Sequence, residues 1–251
     1  MDDAQLLRYS RHILLDELGP DAQQKFAAAH ALVVGMGGLG TPAAHFLAAA
    51  GVGTITICDA DHVDLTNLQR QVLYATADIG ALKVDAAAQR LQAINPEIRI
   101  QRIPDRVGPE ALAMLVAVAD VVLDGCDNFA TRHAVNRACV AAGKPLVSGA
   151  AIRFDGQIAV FDTRDANSPC YHCLFGEGEE LEETRCATMG VFAPLTGIVG
   201  ATQAAEGLKL IAGVGESLAG RLLLIDALAM RWREMRVPRD PACPVCQRRP
   251  A

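Results

Sequence analysis

Lysine is scarce. The 251-residue chain holds 4 Lys against 19 Arg, and neither gathers into a polybasic block. Acids outnumber bases 29 to 23, a net charge of -6, which argues against nucleic acid as the main partner. No apolar run approaches the roughly 20 residues that span a bilayer, so a membrane chain is not expected. The opening MDDAQLLRYS sets two acids where a secretory signal carries basic residues, and no apolar stretch follows. The expected location is therefore cytoplasmic. There the eight Cys are thiols or metal ligands rather than disulfides. Internal repeats and linkers are also missing, which points to one domain over residues 1–251.

What is present is a globular composition, 51% hydrophobic and 21% charged, long enough for one large α/β domain. Residues 4–18 space Leu6, Leu7, Ile13, Leu14 and Leu18 close to a helical period, and a polar stretch follows with Gly19-Pro20 as a breaker. Ala31–Val34 reads as a buried strand, Thr41–Ala50 as a helix and residues 54–58 as the next strand. That order is a βαβ unit with a parallel pair. The alternation continues with a helix at Lys83–Ile94, a strand at Ile98–Ile103, a helix at Pro109–Val118 and a strand at Asp120–Leu123. A helix at Thr131–Ala142 and a strand at Pro145–Ser148 follow. The expected fold is a doubly wound, mostly parallel sheet. The pattern then changes to strands at Gln157–Asp162, Arg221–Asp226 and Met230–Val237, expected to be antiparallel, and a long helix at Pro194–Ala212. GEGEELEET at 176–184 carries five Glu and no base, and is expected to be a mobile loop.

GMGGLG at 35–40 fits G-x-G-x-x-G through Gly35, Gly37 and Gly40. Glycines there allow a tight turn and let the backbone reach a phosphate at a helix N-terminus. Asp59 closes the next strand, where an acid accepts bonds from ribose hydroxyls. NAD, FAD and ATP all satisfy this pair. DLTNLQRQ (64–71) then crowds Thr66, Asn67, Gln69, Arg70 and Gln71 behind Asp59. A triphosphate site uses such groups, because Arg offers a fork of donors and Asn and Gln fix oxygens. A solvated loop capping a helix fits the composition equally well. Lys83 could reach a phosphate, although in isolation it reads better as a solvated residue of a first helical turn. In DGCDN (124–128), Asp124 and Asp127 sit at a strand's carboxyl end and could hold Mg²⁺. Asp127 could equally cap the following helix.

CYHC (170–173) and CPVC (243–246) are two C-x-x-C pairs. Two such turns make a tetrahedral four-cysteine zinc site, and neither pair opens a thioredoxin-like helix as a redox dithiol would. His172 is not needed as a ligand. Cys186, beside Arg185 after the acidic run, is either a nucleophile or an incidental loop thiol. Cys58, Cys126 and Cys139 read as core.

Together, RYSRHILL (8–15), GMGGLG, GVGTITICDADHVDLTNLQRQ (51–71), LDGCDN (123–128), SGAAIRFDGQ (148–157), the two Cys pairs and GVFAPLTGIVG (190–200) resemble the ThiF/MoeB/HesA family of sulfur-carrier adenylyltransferases. These enzymes are relatives of the ubiquitin-activating enzymes. SGAAIRFDGQ and GVFAPLTG look more like the molybdopterin branch. MDDAQLLRYSRHILLDEL and GTPAA (40–44) also fit the thiamin branch. The resemblance implies ATP-dependent adenylation of the C-terminal Gly-Gly carboxylate of a small ubiquitin-like protein, MoaD type or else ThiS type, ready for sulfur transfer. It implies a nucleotide held by Gly38, Gly40, Asp59, Asp61, Thr66, Asn67, Leu68 and Gln69. Arg70 and Lys83 would bind the phosphates, and Asp127 with Asn128 would meet Mg²⁺. Arg11 would be donated by the neighbouring subunit of a homodimer. Zn²⁺ would be held by Cys170, Cys173, Cys243 and Cys246. Cys186 matches a position that forms a covalent link in some members. The resemblance further implies a helical arm at 1–28, a crossover loop at 176–189 and a separate sulfur donor. GMGGLG and Asp59 alone also suit an NAD(P)-dependent oxidoreductase, which leaves DLTNLQRQ and the Cys pairs unexplained.

Overall fold

The computed structural model describes residues 1–177 and 189–247. Its first unit is the expected βαβ. Strand β1 (His30–Val34) runs into the glycine loop, helix α4 (Gly40–Ala49) crosses back, and β2 (Thr54–Cys58) pairs parallel to β1. Three short helices precede it: α1 (Asp3–Arg8), α2 (Ser10–Ile13) and α3 (Gly19–Ala28). The N-terminal periodicity is thus interrupted at Tyr9, whose ring is buried beneath Gly51. Gly19-Pro20 opens a helix instead of ending one. Pro has no N–H to lose in a first turn, and its fixed φ is already helical.

Helix α5 (Lys83–Ile94) leads to β3 (Arg99–Ile103), α6 (Pro109–Val118) to β4 (Val121–Asp124), and α7 (Phe129–Ala142) to β5 (Leu146–Ile152). Gly143 ends α7 in the left-handed conformation, φ 63°, that glycine tolerates. The chain then turns through Arg153-Phe154 into β6 (Asp155–Phe161), antiparallel to β5. A short helix α8 (Tyr171–Leu174) and the long α9 (Ala193–Ala212) lead to the hairpin of β7 (Arg221–Asp226) and β8 (Arg231–Arg236). The sheet order is β3-β2-β1-β4-β5-β6-β7-β8. Pairings are parallel from β3 to β5 and antiparallel from β5 to β8.

Both faces of the parallel half are covered, as βαβ crossovers require. Ala31 and Val33 of β1 face one apolar layer with Leu47 of α4, Leu91 of α5 and Val199 of α9. Leu32 and Val34 alternate into the other layer, with Leu112 of α6 and Val135 of α7. Strand order reverses between β1 and β4, and a crevice opens there beyond the strands' carboxyl ends. Among the described residues no helix is long and apolar enough to cross a membrane.

Candidate active site and metal centre

The crevice is built by two loops in contact. Gly35, at φ 90°, leaves so little room that a Cβ there would lie 2.9 Å from Gly125 O. A Cβ at Gly40 would fall 1.8 Å from Gly35 O, so only glycine closes the turn from β1 into α4. Helix α4 has no side-chain cap at its start. Its first-turn N–H groups are nonetheless engaged, Thr41 with Gly37 O and Ala43 with Leu39 O at 3.1 Å each, and Pro42 has none, so an anion would meet the glycine loop itself rather than the helix end. A Cβ at Gly38 would touch Thr196 of α9 at 3.1 Å, and the Thr196 hydroxyl in turn reaches Arg70 O at 3.5 Å. The glycine loop, the 64–71 segment and the start of α9 thus converge.

Asp59 is tied into this loop. Its carboxylate accepts the Met36 N–H at 2.7 Å and the Asp61 N–H at 2.8 Å. Burial pushes its carboxyl above the usual range, against the opposing pull of Lys83 and the two N–H donors. Lys83 is not a solvated residue. Its side chain is 7% exposed, with Nζ 2.9 Å from Asp61 and 3.9 Å from Asp59. A cation is therefore stored between two carboxylates at the edge of the glycine loop.

The 64–71 segment is a short turn rather than a formless loop. Asp64 accepts the N–H and the hydroxyl of Thr66, at 2.8 and 2.6 Å, and starts a 3-10 turn over Leu65–Asn67. Asn67 accepts the Asp64 N–H through Oδ1, and Arg70 donates to Thr66 O at 2.9 Å. Leu68 packs against the core, and Gln69 is exposed. Gln71 is buried with its Oε1 lacking a hydrogen-bond partner, and its Nε2 lies beside Gly37. A buried acceptor orphaned at a phosphate loop is satisfied by a donor from outside, such as a nucleoside hydroxyl. The residues present therefore fit a nucleotide.

In DGCDN the two acids separate. Asp124 is fully buried and spent on structure. It accepts from Arg132 at 3.0 Å, Ser148 at 2.9 Å and the Cys126 N–H at 2.9 Å. Arg132 also donates to the carbonyls of Gly149 and Cys126, which welds the loop to β5. Asp124 is thus not the metal ligand considered from sequence. Asp127 is exposed, and it does not cap α7. Asn128 does, accepting the Thr131 N–H at 2.8 Å. The Asp127 carboxylate is left facing solvent and fits a hydrated Mg²⁺, which binds through one or two carboxylates.

Arg132 is the residue that sequence reasoning missed. Its signal was weak: an Arg in the first turn of a helix, eight residues beyond a strand-end acid. Arg11 lies apart from the crevice. Its neighbour Tyr9 packs on Gly51 and accepts from Asn95, and Arg8 donates to Ile94 O. These are the far ends of α4 and α5, and α5 has 12 residues, about 18 Å of helix away from Lys83. Cys186 lies outside the described residues, as does most of the 176–184 segment.

The two Cys pairs meet on the other side of α7. Cys170 stands 3.9 Å from Cys173 and 3.7 Å from Cys243, and Cys173 stands 3.5 Å from Cys246. A tetrahedral ion with bonds of about 2.3 Å sets its sulfurs about 3.8 Å apart, whereas a disulfide needs about 2 Å. Burial raises the Cys170 and Cys173 thiols, so these two need a cation beside them to stay ionised. The cluster fits structural zinc, and His172 is not part of it.

A buried acid at the glycine loop, a stored cation and an exposed carboxylate fit a nucleotide-dependent transferase better than a plain dinucleotide binder. Known proteins agree with this class. The ThiF family matches residues 9–245, and the chain belongs to that family. It is an adenylyltransferase of the type related to ubiquitin-activating enzymes. The chain is 46% identical to the Escherichia coli sulfur carrier protein ThiS adenylyltransferase, covering 98% of this chain and 97% of the relative. It is 44% identical to the Escherichia coli molybdopterin-synthase adenylyltransferase, covering 98% of both chains. Among solved structures, Escherichia coli MccB with ATP is similar, with TM-score 0.83 and 26% identity over 95% of this chain and 74% of that one.

Proposed function

We propose that the protein uses ATP to adenylate the C-terminal Gly-Gly carboxylate of a small ubiquitin-like sulfur carrier, of the type that serves molybdopterin synthase. The carrying observation is Lys83, a buried cation stored beside a glycine loop and the acid Asp59. The carrier carboxylate is already a nucleophile, so the site needs charge neutralisation and alignment more than a base. A carboxylate oxygen bonds to the α-phosphorus, the bond from that phosphorus to the bridging oxygen breaks, and pyrophosphate leaves. Asp59 holds the ribose. The glycine loop at Gly38, Arg70, Asn67 and Lys83 hold the phosphates. Asp127 would hold Mg²⁺, which supplies charge neutralisation for the departing pyrophosphate.

Arg11 completes the site from a second copy of the chain. Its anchor lies a helix length from Lys83 within one protomer, which supports a shared-site homodimer. Sulfur comes from a separate donor protein, and the work proceeds in the cytoplasm, where four zinc-binding thiols stay reduced.

Mass spectrometry of purified carriers incubated with enzyme, ATP and Mg²⁺ tests this. The molybdopterin-type carrier should gain the mass of an adenylate. A gain only on the thiamin-type carrier would move the enzyme to that branch, a choice that the 46% identity to a ThiS adenylyltransferase keeps open to test. No adduct on either carrier would refute the proposal.

A further inference from the structure

Apart from the nucleotide crevice and the four sulfurs, a third group of metal-binding side chains converges. His133 on α7, His172 on α8 and Glu177 each bring one ligand atom within 4.8 Å of the others. His133 Nδ1 stands 3.9 Å from Glu177 Oε1, and the two imidazoles meet edge to face with centroids 5.6 Å apart. The His133 side chain is 6% exposed and that of Glu177 is 54% exposed, so the group has a closed floor and an open mouth. His172 Nδ1 is buried without a hydrogen-bond partner. Both imidazoles are held by rigid parts. His172 lies between Cys170 and Cys173, and His133 packs edge-on against the Tyr171 ring at 5.2 Å.

We propose that His133, His172 and Glu177 form a second binding site for a borderline divalent cation of the Zn²⁺ class, sharing no ligand with the four-cysteine cluster. Two imidazoles and one carboxylate are a donor set that zinc favours, with a fourth position left to water. Bonds of about 2.0–2.2 Å in a tetrahedron set ligand atoms about 3.3–3.5 Å apart. The 3.9 Å between His133 and Glu177 therefore closes by about half an ångström, within reach of the flexible Glu177 side chain. The same Glu177 oxygen is also paired with Arg137, which is half exposed on α7. The guanidinium is thus the competitor that an incoming cation displaces. Binding would pin Glu177 to α7.

The test uses the enzyme with its first zinc in place, titrated with Zn²⁺ alone and followed by calorimetry and by metal content after gel filtration. A second equivalent should bind. Glu177→Gln and His133→Gln should each weaken that equivalent at least tenfold while keeping the first zinc. Arg137→Gln, by removing the competitor, should tighten it several-fold. Glu177 is at the surface, so its variant tests the site even if His133→Gln fails to fold. Saturation of wild-type protein at one zinc per chain would overturn the proposal. A second equivalent indifferent to Glu177→Gln and Arg137→Gln would overturn it equally, as an adventitious ion only.

Discussion

Replacing Lys83 with Ala is the sharpest probe of the crevice, because the structure gives the residue two opposed charges to manage. In wild type its ammonium stands 2.9 Å from Asp61 and 3.9 Å from Asp59. Without it, two carboxylates face an incoming triphosphate with no cation between. One charge pair at 4 Å is worth about 4 kcal/mol at an effective dielectric near 20. Loss of one comparable electrostatic group at a reacting centre costs about 10²–10³ in rate. ATP–pyrophosphate exchange supported by the carrier should fall by that factor. Folding should suffer as well, because Asp61 is 61% exposed but Lys83 and Asp59 are only 7% and 10% exposed, so the variant leaves a buried carboxylate uncovered. A cost of about 1–3 kcal/mol corresponds to a melting shift of about 2–12 °C. The double variant Lys83→Ala with Asp61→Asn removes one of the uncovered anions and should regain several-fold of the lost exchange. Exchange by Lys83→Ala within a few-fold of wild type would refute the reasoning, as would a double variant slower than the single one.

Three further outcomes are expected. A cross-link over the 73 residues from Cys173 to Cys246 removes about 4 kcal/mol of unfolded-state entropy. Cys246→Ser should therefore lower zinc content and melting temperature together, and metal-free protein that melts unchanged would rule the cross-link out. Asp127→Ala should lose exchange by about 10²–10³ with no change in melting, because Asn128 carries the cap. Asn128→Ala should cost about 1 kcal/mol in stability, read by denaturant unfolding, and equal melting losses for both variants would contradict this division. Mixing Arg11→Ala subunits with Asp127→Ala subunits should restore part of the exchange that each loses alone, whereas heterodimers with no recovery would count against a shared site.

The parallel half of the fold was legible because its signals are local. Lys83–Ile94 and Pro109–Val118 carry their own boundaries: Asn95-Pro96 after the first, Pro at the start of the second. Signals that depend on distant partners were not legible. Strand β5 runs on to Ile152 because β6 pairs with it along seven positions, although Gly149, Ala150 and Ala151 have little strand preference of their own. Lys83 looked like a solvated lysine because its partners lie more than twenty residues upstream, at Asp59 and Asp61. Asp124 and Asp127 were interchangeable as bare sequence. Only Arg132 and Ser148, brought from α7 and β5, show which one is spent. The four Cys were legible because their chemistry is fixed by residue type and pair spacing, whatever lies between.

That long interval has a consequence for how the protein is made. Cys243 leaves the ribosome 73 residues after Cys170. At about 5–20 residues per second, that is a delay of about 4–15 s. For this time the first pair of thiols has only itself for company, and it can hold a metal by two sulfurs at most. A nascent chain stalled or cleaved in the interval would carry an open dithiol that oxidants can close. Until translation delivers the second pair, no four-sulfur cluster can close around a cation and shield the first.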